Sequence, residues 1–174
     1  MIRRLELGPG AFPTPGYDTA DKGGPYSLTY TFDLAKQRPW PIASDLYDEV
    51  LAIHVIEHVS MSSAPSMFAE VIRLLKSGGL FRVHVPNGPA IAKTYLEQPG
   101  RRRELQMAIY GGEAEVDPAF GHKVLYDAGM LKHLLESSGF ISVEDVSSSV
   151  EDRHDKGWTL LGGRMSLKVQ ARKP

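Results

Sequence analysis

Three side chains able to hold a metal or move a proton stand together in this 174-residue sequence: His54, Glu57 and His58. Their spacing of i, i+3 and i+4 puts all three on one face if the chain is helical there. Imidazole and carboxylate are suitable ligands for a divalent ion. A second group lies near the start, where the short apolar run Ile2-Arg3-Arg4-Leu5-Glu6-Leu7 passes into Gly8-Pro9-Gly10. A strand ending in glycines lets the backbone approach a ligand and turns its N–H groups toward it, as in sites for nucleotide-like cofactors. The same Gly-x-Gly also makes ordinary tight turns. Asp21 ends a short strand beginning at Tyr17, where an acid accepts hydrogen bonds from ribose hydroxyls. Asp21-Lys22-Gly23-Gly24 reads equally as a polar turn. Asp33-Leu34 closes a third strand, with a carboxylate for an exocyclic amine and an aliphatic cover for an adenine ring; a plain strand end has the same pattern.

The elements that must position these groups alternate. After Gly10, Pro13, Pro15 and Gly16 deny a crossover helix, so the chain loops directly to the second strand. Leu28, Tyr30 and Phe32 alternate with threonines as the third strand. Tyr47 to Ile53 is the fourth, apolar at its end as a buried parallel strand should be. An amphipathic helix follows over residues 64–76, with Pro65 in its first turn and Gly78-Gly79 as its stop. Leu80 to Val85 is the fifth strand. Residues 90–121 form an excursion with two short helices, above the sheet where specificity-bearing insertions sit. Asp127 caps a last helix that Gly139 stops. Phe140 to Val146 and Arg164 to Arg172 complete the strands, joined by a long polar link from Glu151 to Gly163. His84 falls inside a strand as a core residue, and His133 and His154 read as surface residues. The pattern predicts an α/β fold with an open, mostly parallel sheet and ligands at the strand C-termini.

Composition narrows the function. The length and 42% hydrophobic content suit one domain, 1–174, with a single core. A balance of 20 Lys+Arg against 21 Asp+Glu, net −1, recommends neither nucleic acid nor an anionic membrane as partner. With no cysteine there is no disulfide framework, thiolate zinc site or cysteine nucleophile. The sequence contains neither a charged-then-apolar leader nor an apolar run near eighteen residues, so a soluble cytoplasmic protein is expected.

The ordered progression LELGPG, GY-x-x-AD, FDL, YDEVLAIHVIEHV, VIRLLKSGGLFRVHVPN and LLESSGF resembles the class I S-adenosylmethionine (SAM) dependent methyltransferases, in particular the compact type 11-like group, over residues 4–146. The resemblance implies a Rossmann-like seven-stranded sheet ordered 3-2-1-4-5-7-6, here lacking the N-terminal cover helices. It implies SAM over Gly8-Pro9-Gly10, with Glu6 before the turn also binding the cofactor, Asp21 on the ribose, Asp33 and Leu34 at the adenine, and His54 near the methyl group. With the first crossover helix also missing, the cofactor site is expected to be open, and completed by the substrate, the 90–121 excursion, a second copy of the chain or a partner subunit. The run His54-Val55-Ile56-Glu57 stands where exocyclic-amine DNA methylation would need Asn/Asp-Pro-Pro-aromatic.

The His/Glu group also resembles the metal site of small-RNA 2′-O-methyltransferases of the Hen type and of ubiquinone-pathway O-methyltransferases. That similarity adds a later histidine, His122, and implies a divalent metal on His54, Glu57, His58 and His122. His54 and His122 are then the candidate catalytic residues, as base or ligand. Many relatives carry the Glu-His pair without metal. The expected activity is methyl transfer to oxygen of a small-molecule or carbohydrate-like acceptor. The alternatives are a non-catalytic SAM-binding subunit of a complex, and a nicotinamide-dependent oxidoreductase. The latter calls for a third glycine opening a helix after Gly10, which the Pro13 to Gly16 loop denies.

Overall fold

The computed structural model describes residues 2–24, 27–112, 121–153, 155 and 159–174. Its strands are β1 (Arg4–Leu7), β2 (Asp18–Asp21), β3 (Tyr30–Thr31), β4 (Tyr47–Ile53), β5 (Leu75–Pro86), β6 (Ile141–Asp145) and β7 (Ser166–Arg172); its helices are α1 (Ala64–Leu74), α2 (Gly88–Glu97), α3 (Arg102–Tyr110) and α4 (Ala128–Ser137). All seven strands join one sheet in the order β3-β2-β1-β4-β5-β7-β6, as expected.

Two expectations are corrected. The sheet is mixed rather than mostly parallel: β7 pairs antiparallel with both β5 and β6. The reason lies in the link after β6, in which the described residues form no helix and which lays β7 between β5 and β6, a reversal that a helical crossover would have prevented. Nor does Gly78-Gly79 stop α1. The backbone already turns extended at Leu75, and both glycines lie inside β5, where its pairing with β4 slips between Leu75 and Leu80. The third strand is also shorter than its alternating pattern suggested.

One face of the sheet carries the main core. Leu5 and Leu7 of β1, Val50 and Ala52 of β4, Phe81 and Val83 of β5 and Val169 of β7 pack with Met67, Phe68 and Val71 of α1 and Leu131 and Leu135 of α4. Phe68, Phe81 and Phe140 form an aromatic cluster with centroids 5.4–6.4 Å apart. Strand alternation sends the intervening residues to the opposite face, where Leu51 is apolar but Arg4, Glu6, Glu49, Arg82 and Lys168 are charged. There Arg4 and Arg82 approach Glu49 at 3.5 and 3.4 Å, and the Tyr17 hydroxyl donates to the Glu49 carboxylate at 2.7 Å. A polar face is consistent with a β1–β2 connection that contains no helix, because no apolar helix packs there from it. The 90–121 excursion begins with α2 and α3, which share a small core of Ala90, Ile91, Leu105 and Ala108 with Leu160 and Met165; residues 113–120 lie outside the described residues, as do His154 and Trp158. His84 is buried and His133 exposed, as read from the sequence. Among the described residues no helix is long and apolar enough to cross a membrane.

Phe68→Ala should cost about 3–5 kcal/mol by emptying the aromatic cluster, whereas Arg82→Ala should cost under about 1 kcal/mol because its ion pair is partly solvated. Urea denaturation of the two variants checks this contrast.

Candidate functional site

The C-terminal ends of β1, β2, β3 and β4 open into a cavity of about 640 Å³. Gly8, Pro9, Gly10, Asp21, Asp33, Leu34, His54, His58 and His122 all line it, so residues far apart in sequence share one wall. Glu6 and Glu57 do not line it and are fully buried behind it.

The glycine turn is built by conformations that only glycine adopts without strain: φ is +58° at Gly8 and +59° at Gly10. Gly8 is also closely approached, since a Cβ there would lie 2.7 Å from a Val55 methyl. Its amide donates to the Ala20 carbonyl at 2.9 Å, tying the turn to β2. Asp21 follows, its carboxylate accepting from the Lys22 amide at 2.7 Å. Burial raises the Asp21 pKa, a shift partly offset by the Lys22 amide and charge and by the Gly10 amide. At Asp33 burial likewise disfavours the charge, but the amides of Ala35 and Lys36 and the Lys36 ammonium together hold its pKa below the ordinary value. Those amides engage one Asp33 oxygen, at 2.9 and 3.2 Å. Leu34 lies beside it, buried and lining the cavity.

At the other end of the cavity the expected helical face does not form. β4 stops at Ile53, His54 adopts a left-handed backbone with φ +54°, and only Ile56–His58 makes a single tight turn of helix. Such a backbone at a non-glycine residue is strained and must be held by its surroundings; the His54 amide donates to the His84 carbonyl at 2.8 Å. The His54 side chain has a polar neighbour at each ring nitrogen. Nδ1 lies 3.2 Å from the Glu57 carboxylate and Nε2 lies 3.0 Å from the Ser166 hydroxyl.

Among the described residues, Glu57, His58 and His122 form the group whose ligand atoms converge, all within 4.8 Å of one another. His54 is not part of that group. The His58 and His122 rings meet edge to face, centroids 4.9 Å apart. Neither Glu57 oxygen has a hydrogen-bonded partner, the approach of His54 being misaligned for one, and Nδ1 of His58 has none either. A buried, unpartnered carboxylate is costly, and a cation is what such a group lacks. His122 places Nδ1 3.1 Å from the Ala108 carbonyl, which assigns the hydrogen to Nδ1 and leaves Nε2 with its lone pair. Burial lowers the His122 pKa, with the Glu57 charge opposing. The donor set therefore fits a divalent ion.

Arg153 also lines the cavity, and nothing in its spacing marked it. It lies in the polar link, where charged residues ordinarily face solvent. Ser166, at the start of β7, was likewise read only as a strand residue.

No family model matches the sequence, and no curated protein matches it. Solved structures do match. A SAM-dependent methyltransferase of Thermotoga maritima, described as a possible histamine N-methyltransferase, superposes with a TM-score of 0.64 at 16% identity, over 99% of this chain and 82% of that one. The class I SAM-dependent methyltransferase fold is the fold of this chain. A SAM-dependent methyltransferase from Archaeoglobus fulgidus gives 0.64 at 15% identity, over 99% and 86% of the two chains. One from Mesorhizobium loti gives 0.59 at 17%, over 98% and 90%. This methyltransferase fold lacks a helix between β1 and β2, and its glycine turn is supported instead by a loop and by Arg153.

The raised Asp21 pKa has a sign. The folded chain binds this proton more tightly than the unfolded chain, so the group's contribution is full below the unfolded value near 3.8 and is lost as pH rises through the folded pKa. Asp21→Asn should therefore stabilise the ligand-free chain at pH 7 while weakening S-adenosylhomocysteine binding by about 1–3 kcal/mol through lost hydrogen bonds. Thermal melts with and without ligand check both halves.

Proposed function

We propose that the chain is a SAM-dependent methyltransferase that methylates oxygen of a small-molecule or carbohydrate-like acceptor, with a divalent ion held by Glu57, His58 and His122. The observation that carries this reading is the unpartnered Glu57 carboxylate beside two histidines, at the far end of a cavity whose near end is the glycine turn, Asp21 and Asp33. The domain spans 1–174, and the 90–121 excursion forms the acceptor side, where Met107, Ala108, Gly111 and Gly112 join the cavity wall. A cytoplasmic setting agrees with a chain that contains no cysteine.

SAM supplies an activated methyl group for in-line displacement, and a divalent ion supplies Lewis-acid polarisation of a hydroxyl. The chain's own residues position the reactants. Gly8 and Gly10 open the backbone to the cofactor, Asp21 takes the ribose, and Asp33 with Leu34 takes the adenine. His54, whose Nε2 lies 3.0 Å from the Ser166 hydroxyl, is a wall near the methyl group rather than the base. His122, whose Nδ1 donates to the Ala108 carbonyl, offers its Nε2 lone pair to the ion and is a ligand rather than the base. The nicotinamide reading loses its main support, since no helix opens after Gly10.

A second reading has one observation in its favour. The Haloferax volcanii methyltransferase solved in complex with its Trm112 activator shares the fold at a TM-score of 0.56 and 11% identity, over 99% of this chain and 83% of that one. A chain without the first crossover helix is a natural candidate for completion by a second copy or a partner subunit, and in that setting could bind SAM without turning it over.

Transfer of labelled methyl from SAM to a panel of vicinal-diol acceptors, with Mn²⁺ or with EDTA, separates these readings. Transfer should fall about 10–100-fold in EDTA and in Glu57→Gln. Transfer indifferent to both would remove the metal, and SAM binding without transfer to any acceptor would favour the subunit. The rate should also fall on acidification through the His122 pKa, which burial holds below the ordinary value, because a protonated Nε2 cannot bind the ion. His122→Gln should abolish that limb of the pH profile.

A further inference from the structure

The glycine turn is held from the opposite end of the chain. Arg153 donates through Nη1 to the Glu6 carboxylate at 3.2 Å and to the Phe12 carbonyl at 2.8 Å, and through Nη2 to the Pro9 carbonyl at 3.2 Å. Glu6 is fully buried, and its other oxygen accepts from the Thr14 amide at 2.6 Å. Arg153 is therefore fixed to the carboxylate behind the turn and to carbonyls on either side of Gly10.

The segment that presents Arg153 is itself anchored. Asp152 pairs with buried His84 of β5 at 2.9 Å and accepts from the Ser166 hydroxyl at 3.2 Å. Asp155 pairs with the fully buried Lys168 of β7, whose ammonium also donates to the Val150 carbonyl at 2.7 Å. Buried ion pairs on both sides leave Arg153 little freedom to move away from the cavity wall it lines.

A guanidinium has five N–H donors. Three are accounted for, all on the turn and Glu6. Those left are Nε–H and one hydrogen of Nη2, donors on the edge of the guanidinium that can approach a carboxylate side-on. In nucleotide folds generally, the positive end at a glycine turn comes from the N-terminus of the helix that follows. In this chain no helix follows β1, and Arg153 is the cation at that position.

We propose that Arg153 is a cofactor-binding residue that reads the carboxylate of the amino-acid tail of SAM, so that the β6–β7 link supplies the anion site at the glycine turn. This assignment rests on the methyltransferase reading above. It differs from a purely structural role, in which Arg153 only neutralises Glu6 and props the turn.

Calorimetric titration of the full chain with SAM and with decarboxylated SAM distinguishes the two roles, because the ligands share the adenosine and the sulfonium and differ in the carboxylate. The wild-type chain should prefer SAM by about tenfold or more, as expected for a charge-assisted fork. Arg153→Gln should lose that preference by weakening SAM alone, with decarboxylated SAM held within about twofold, and Arg153→Lys should keep part of it as a point charge without the fork. Equal loss for both ligands, or unchanged binding of both, would overturn the assignment and leave the methyltransferase reading intact. The wild-type comparison needs no variant, so absence of a preference there would overturn it even if Arg153→Gln failed to fold. Binding of neither ligand by folded wild-type chain would overturn the methyltransferase reading and the assignment with it.

Discussion

A glycine turn with φ near +58° at two positions and no helix behind it is the constraint on which the site depends. Left-handed backbone has no internal hydrogen bonding of its own to hold it, so its support must come from neighbours. β2 contributes the Ala20 carbonyl, the proline-rich loop contributes the Thr14 amide to Glu6, and the far link contributes Arg153. The buried Glu6 carboxylate joins all of these. It is tolerable in the interior only because an amide and a guanidinium meet it there.

The same economy explains the polar face of the sheet. In a sheet covered on both faces the strands read as continuous apolar runs. Here Arg4, Glu49, Arg82, His84 and Lys168 occupy alternate positions and pair with one another and with Tyr17, Asp152 and Asp155. The polar network therefore does two jobs: it finishes a face that the β1–β2 connection leaves without a helix, and it fixes the link that returns to the cofactor end. Glu57, also buried, differs from Glu6 in that no amide or guanidinium reaches it. That contrast between two buried carboxylates distinguishes the two ends of the cavity.

Much of this was legible in the residues. The apolar end of β4, the proline-interrupted connection after Gly10 and the Asp127 cap each rest on local chemistry, and each is found where it was expected. Local chemistry misled at Gly78-Gly79, where pairing with β4 draws the chain into β5 before the glycines are reached. It misled at His54 too, because helical spacing assumes a backbone that the strand exit does not provide. Arg153 was illegible for a different reason. Its partners lie more than 140 residues away, and a charged residue among Glu151, Asp152 and Asp155 has no periodicity to distinguish a solvated side chain from a buried anchor. The antiparallel β7 depended in the same way on a link whose path only tertiary packing decides.

The most direct measurement is a calorimetric titration of the chain with S-adenosylhomocysteine, with NAD⁺ as the control ligand. One-to-one binding of the adenosyl ligand and none of NAD⁺ is expected from a glycine turn without a following helix and a cavity that joins Asp21 to Asp33. Binding of NAD⁺, or of neither ligand by folded protein, would contradict the assignment of this cavity as a SAM site.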